Sequence, residues 1–149
     1  MIIELAQSKD KKKIAALDSH IHPDLFDECI RNGHIYVLKD NSIKSCGQKC
    51  VTDAAVVGVL RYSLFWQSIP FLDLLYLNEV YREKGFGTKM MHEWEQAMRA
   101  CGYKYVMTST QSDEDAWHFY EKLGYRKVGG FLPPEQEADE WIYLKQLHE

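Results

Sequence analysis

The period of the apolar positions changes several times along this chain, and each change marks a predicted element. Residues 2–6 (Ile2-Ile3-Glu4-Leu5-Ala6) read as a short strand. Ser8 stands where it can cap a helix running to about Asp18, with Ile14 and Leu17 turned inward. Pro23 suits the first position of a second helix. In that helix Leu25, Phe26, Cys29 and Ile30 recur at helical spacing, and Gly33 ends it. Three strands are predicted next, over 34–38, 55–62 and 71–77, the last two apolar on both faces as central strands of a covered sheet are. From 87 to 101 the period lengthens, and Met90, Met91, Trp94, Ala97, Met98 and Cys101 form one helical face, which makes Cys101 a core residue. A strand over 105–109 follows. Then comes a short helix in which Ala116, Phe119, Tyr120 and Leu123 share a face and Gly124 is the terminator. Two final strands, near 125–128 and 141–147, flank a loop containing Pro133-Pro134.

The resulting order is strand, two helices, three strands, helix, strand, helix, two strands. It describes a mixed α/β domain, and the crossover from 71 to 109 implies a parallel strand pair joined right-handedly. With 149 residues, 46% of them hydrophobic, the chain suits one ordinary domain spanning 1–149. A net charge of −4 argues against a nucleic-acid binder, whose phosphate contacts need clustered positive charge, and Lys11-Lys12-Lys13 reads as a solvated helix face. No apolar run approaches the ~20 residues of a membrane span, and the start lacks a secretory signal pattern, so a cytoplasmic protein is expected. Four scattered cysteines do not make a disulfide scaffold. Cys46 and Cys50 have a metal-compatible spacing, but with only His20 and His22 as distant partners the expectation is no metal.

Two segments carry chemistry. The predicted strand over 71–77 runs into Arg82-Glu83-Lys84-Gly85-Phe86-Gly87 and then directly into a helix. The first turn of a helix has N–H groups without internal partners and a positive dipole end, and glycines let the backbone approach an anion closely. No Gly-Lys-Ser/Thr follows, so this is not a nucleotide P-loop, and Met90 rules out the dinucleotide Gly-x-Gly-x-x-Gly pattern. The second segment is Ala116-Trp117-His118-Phe119-Tyr120-Glu121-Lys122-Leu123-Gly124-Tyr125.

Together, in this order, the two segments resemble the GNAT superfamily of acyl-CoA-dependent N-acetyltransferases. Arg82-x-x-Gly85-x-Gly87 is similar to the family's Gln/Arg-x-x-Gly-x-Gly/Ala signature, and Ala116-x-x-Phe119-Tyr120-x-Lys122-x-Gly124-Tyr125 to its later helix–turn–strand. The resemblance is strongest over 71–128. It implies a central mixed sheet of about seven strands flanked by about four helices, with parallel strands splayed at the cofactor site. It implies acetyl-CoA as cosubstrate. Backbone groups of Leu75 and Leu77 would pair with the pantetheine arm, and those of Arg82, Glu83, Lys84, Gly85, Phe86, Gly87 and Thr88 would hold the pyrophosphate. Tyr120 would protonate the leaving thiolate, as a phenol with an ordinary pKa of about 10 can at neutral pH.

Two positions depart from the family pattern. Asp113, before Ala116 in the cofactor-binding stretch, stands where many members carry Asn, and it loses an amide donor. Glu79 replaces a usual proline. Asp73, then Glu79, are the candidate bases for a primary amine acceptor, small molecule or peptide, with a water chain as the alternative. Tyr62, Phe65 and Trp66 are either core or the lining of an acceptor pocket, whereas His92 and His118 read as surface residues. The resemblance also leaves room for a homodimer through the last strands. The rival reading is a non-catalytic acyl-CoA-binding or regulatory module of the same fold.

Overall fold

The computed structural model describes residues 1–42 and 54–148. Cys46 and Cys50 lie outside the described residues. The elements are β1 (Ile2–Leu5), α1 (Lys11–Leu17), α2 (Pro23–Arg31), β2 (Ile35–Asp40), β3 (Ala55–Phe65), β4 (Ile69–Leu77), α3 (Phe86–Ala100), β5 (Tyr105–Gln111), α4 (Ala116–Lys122), β6 (Arg126–Phe131) and β7 (Glu140–Gln146). The expected mixed sheet is present, with seven strands in the order β1-β2-β3-β4-β5-β7-β6. β4 and β5 form the expected parallel pair, in register at Phe71 with Met107 and Leu72 with Thr108, and β4 runs on to Leu77. β7 lies antiparallel between β5 and β6.

The chain divides into two compact units, Met1–Arg61 with Leu74–Glu93, and Tyr62–Asp73 with Trp94–Glu149. In the first, Ile14 of α1, Phe26 of α2 and Ile35, Val37 and Val59 of the strands form a buried cluster. Ser8 is not the helix cap. The chain enters through a 3-10 turn, Ser8–Asp10, closed by the Gln7 N–H on Asp10 Oδ2 at 2.9 Å and the Asp10 N–H on the Gln7 carbonyl at 2.9 Å. Leu25 is 52% exposed because Phe26, Cys29 and Ile30 already fill the inward stripe of α2. Buried Asp18 fixes the link between α1 and α2, accepting from the His20 and Ile21 N–H groups and, at 2.7 Å, from Arg61 Nε.

The pairing of β2 with β3 shifts register, Leu38 opposing Gly58 and Lys39 opposing Val56, so that Val57 is the extra residue of a bulge. The Val57 carbonyl accepts the Asn78 N–H at 2.9 Å at the end of β4. Gly58 is tightly enclosed beside it. A Cβ there would sit 2.6 Å from Leu77 Cδ2, 3.1 Å from Leu38 Cβ and 3.3 Å from the Tyr76 carbonyl oxygen. Gly58→Ala is therefore expected to destabilise the protein by about 1–3 kcal/mol, the usual cost of overpacking, read as a lowered midpoint in urea.

In the second unit Trp94 is fully buried and packs on Tyr62 at a ring separation of 5.6 Å, with Tyr143 and Val106 also inside. Tyr62 is thus core, while Phe65 and Trp66 sit at the β3–β4 turn with Trp66 80% exposed. Cys101 is exposed rather than core. α3 ends at Ala100, and Gly102 at φ +92° turns the chain away before the helical face reaches that position. Among the described residues no helix is long and apolar enough to cross a membrane.

Candidate active site

Within the first unit, the end of β4 and the start of α3 bring together most of the expected cofactor residues. Backbone groups alternate sides along a strand, and the Asn78 N–H points to β3. The N–H and C=O of Leu75 and Leu77 therefore point away from β3, as an added extended ligand would need. Leu74 through Leu77 are all only half-buried despite their apolar composition. The Leu77 carbonyl accepts from Arg82 Nε at 2.8 Å, and the Arg82 guanidinium lies 5.2 Å from the centre of the Tyr76 ring. Arg82 is thus folded back on the strand that precedes it.

Glu79 opens a 3-10 turn, Glu79–Tyr81, and its side chain is exposed. The next residues contain two left-handed conformations, Glu83 at φ +59° and Gly85 at φ +85°. For Gly85 this is unstrained. For Glu83 it costs about 1–2 kcal/mol, a kind of strain that clusters at ligand clamps. α3 begins at Phe86, and its first i→i−4 bond joins the Lys89 N–H to the Gly85 carbonyl at 3.1 Å. The N–H groups of Phe86, Gly87 and Thr88 precede that bond and have no carbonyl within the helix to accept them. A Cβ on Gly85 would meet nothing within 4 Å, so the loop is open at that point. Such a helix start, preceded by a left-handed glycine, fits a diphosphate anion.

Sequence reasoning missed a tie between this loop and β2. The Tyr81 hydroxyl donates to Asp40 Oδ2 at 2.6 Å, and Ser42 donates to Asp40 Oδ1 through Oγ at 2.6 Å and its N–H at 2.8 Å. Bonds from the Ser42 hydroxyl, then the Tyr81 hydroxyl and the Ser42 N–H, hold the Asp40 carboxyl down at about 2. The same contact with Asp40 raises the Tyr81 phenol above its ordinary value.

Within the second unit lie Asp73, Asp113, Ala116 and Tyr120. Asp73 is an exposed residue of β4, and Asp113 is exposed in the turn before α4, which Ala116 opens. Tyr120 is 8% exposed and is edge-on to Phe119 at 5.3 Å and to Tyr125 at 5.8 Å. Burial pushes its phenol up to about 12, partly opposed by a hydrogen bond with the Thr108 hydroxyl. Thr108 Oγ1 in turn donates to the Leu72 carbonyl at 3.2 Å. α4 closes with Gly124 at φ +92°, the Tyr125 N–H reaching the Tyr120 carbonyl at 3.1 Å and the Gly124 N–H the Glu121 carbonyl at 3.0 Å. That paired closure fixes Tyr125 against Tyr120. Of the histidines, His92 is exposed on α3, and exposed His118 stacks on Trp117.

Residues 5–125 match the model of the acetyltransferase (GNAT) family. The chain belongs to that family. No curated protein matches it. Among solved structures, Ard1 from Thermoplasma volcanium superposes with a TM-score of 0.79 at 17% identity, covering 99% of this chain and 98% of that one. NAA60 from Arabidopsis thaliana, in complex with a bisubstrate analogue, gives 0.78 at 14% identity over 99% of each chain. The NatC complex bound to Gag peptide and CoA gives 0.78 at 13% identity, over 99% of this chain and 98% of that one. At these identities the likeness is one of fold. As a GNAT member the chain is an acyltransferase whose reaction class is acetyl transfer.

Proposed function

We propose that this single domain moves an acetyl group from acetyl-CoA to a primary amine by direct attack, with Tyr120 as general acid. The observation that carries the proposal is the loop before α3, where Gly85 at φ +85° leads into helical N–H groups that precede the first internal bond. When bound, acetyl-CoA supplies an activated thioester carbonyl. The N–H groups from Glu83 to Thr88 bind its pyrophosphate, the Arg82 N–H being taken by the Glu79 carbonyl, and the backbone of Leu75 and Leu77 orients its arm. Asp113 and Ala116 are proposed as further cofactor contacts. Tyr120 holds a proton on its hydroxyl and delivers it to the departing sulfur, a role supported by burial that keeps the phenol neutral. The amine must lose a proton to attack, and Asp73, Glu79 or water takes it. A cytoplasmic setting goes with this reading.

The test is release of free CoA thiol from acetyl-CoA across a panel of amines. Peptide N-termini come first, because one structure of the same fold holds a peptide, followed by polyamines, amino acids and aminoglycosides. Amine-dependent CoA release is expected. Calorimetric binding of acetyl-CoA with no CoA release from any amine would instead make the chain a non-catalytic binding module.

A further inference from the structure

We infer that Tyr81 and Asp40 are a positioning pair that holds the cofactor loop in its binding shape, a role that rests on the acetyl-CoA reading above. Within the first unit the segment from Asn78 to Arg82 is tied locally. The Tyr81 N–H bonds to the Asn78 carbonyl at 2.9 Å, the Arg82 N–H to the Glu79 carbonyl at 3.1 Å, and Arg82 Nε to the Leu77 carbonyl at 2.8 Å. All of these join residues at most five apart, so they shape the turn, and the Asn78 N–H on the Val57 carbonyl at 2.9 Å fixes only where it begins. The bond from the Tyr81 hydroxyl to Asp40 Oδ2 spans 41 residues and anchors the turn to the end of β2.

Asp40 is built to receive it. It is the last residue of β2, on the same strand face as Leu38, opposite to the face of Lys39, which reaches Glu4 at 2.7 Å and Asp10 at 3.0 Å. Asp40 is buried, and its second oxygen is fully engaged by Ser42, so the carboxylate cannot swing away from Tyr81 without breaking three bonds. At the other end, the Tyr81 ring lies 6.3 Å from the ring of Phe86, the first residue of α3. One side chain therefore braces both ends of the loop, through its hydroxyl to β2 and through its ring to the helix start. The residues between are those with left-handed backbone at Glu83 and Gly85, a shape that an untethered chain populates poorly. Ordering the loop before the ligand arrives removes that cost from binding, so the pair acts on cofactor affinity rather than on the chemical step.

The test compares the parent with Tyr81→Phe, Asp40→Ala and Asp40→Asn in acetyl-CoA titration calorimetry and steady-state kinetics, with thermal melts of each variant. Tyr81→Phe keeps the ring brace and removes the hydroxyl. It is expected to raise Kd and KM for acetyl-CoA about tenfold, the size of a hydrogen bond to a charged group, with kcat at saturation and KM for the amine unchanged. Asp40→Asn still offers Tyr81 an acceptor and should recover most of the affinity that Asp40→Ala loses. Equal Kd for parent and Tyr81→Phe overturns the positioning role while leaving the acetyl-CoA reading intact. So does a loss that falls on kcat alone or that merely follows the melting temperature. A parent chain that binds neither acetyl-CoA nor CoA overturns both.

Discussion

Replacing Tyr120 with phenylalanine is expected to lower kcat for acetyl transfer by about a hundredfold or more while leaving acetyl-CoA affinity and the fold in place, because general-acid assistance is usually worth ~10²–10⁴. The substitution keeps the ring, and with it the edge-on contacts to Phe119 and Tyr125. The Thr108 hydroxyl, which loses the Tyr120 contact, still donates to the Leu72 carbonyl, so the cost in stability should be about 1 kcal/mol at most. What disappears is the proton. Burial raises the Tyr120 phenol to about 12, so it stays neutral through the whole range in which an amine acceptor deprotonates. The kcat profile of the parent should therefore show no alkaline fall from this group until pH approaches about 12. The same shift has a sign for folding. The stability tied to the neutral phenol is fully present below its unfolded value of about 10, and is lost as pH rises through the folded value. Tyr125 is raised in the same direction, by burial first and then by Glu95, and adds to the alkaline loss. Phenolate absorbance followed together with circular dichroism checks this order, since both phenols should ionise only as the fold opens. A Tyr120→Phe enzyme with parental kcat would mean that the leaving sulfur takes its proton from elsewhere.

Local patterns in the sequence reached as far as local physics does. The 3.6-residue period of α3 and the apolar run of β3 announced those elements, and the glycines at 33 and 124 marked chain reversals that do take positive φ. The shape of the loop before α3 was legible for the same reason, since a left-handed turn leading into a helix start is backbone geometry that adjacent glycines encode. Partners distant in sequence were not legible. Asp40 lies 41 residues from Tyr81, and Thr108 meets a carbonyl 36 residues away, so no spacing rule joins them. Ser8 was favoured as a helix cap by residue type, yet a 3-10 turn closed by Gln7 and Asp10 took its place, because Asp10 is a better-placed acceptor three residues on. Cys101 continued the apolar face of α3 on paper only, since the helix stops one residue earlier. The burial of Glu95 on α3 makes sense only once β7, 50 residues on, supplies a lysine.

Glu95→Ala is accordingly expected to cost about 3 kcal/mol of stability, toward the lower end for breaking a buried ion pair because Lys145 retains some exposure. Glu95 is 5% exposed within the second unit. One of its oxygens accepts from the Tyr125 hydroxyl at 3.0 Å and the other from Lys145 Nζ at 2.7 Å. Lys145 also lies 5.6 Å from the centre of the Tyr125 ring. Removing the carboxylate leaves a phenol and an ammonium in a space built for an anion, and the ammonium must either stay uncompensated or drag its stem toward solvent. For a domain of this size the loss should appear as a fall in melting temperature of roughly 10 °C. Glu95→Gln preserves an acceptor and should lose about half as much. The decisive variant is the double change Glu95→Leu with Lys145→Met, which removes both charges and keeps the volume. If the penalty comes from an orphaned charge, the double variant recovers much of the stability; if it comes from lost packing, the two losses add. Because the Tyr125 ring is the surface against which Tyr120 packs, the single Glu95→Ala change should also lower kcat at temperatures where the protein remains folded. The double variant, with Tyr125 still untethered, should regain the melting temperature without regaining kcat, and that split separates the network's part in stability from its part in holding the acid.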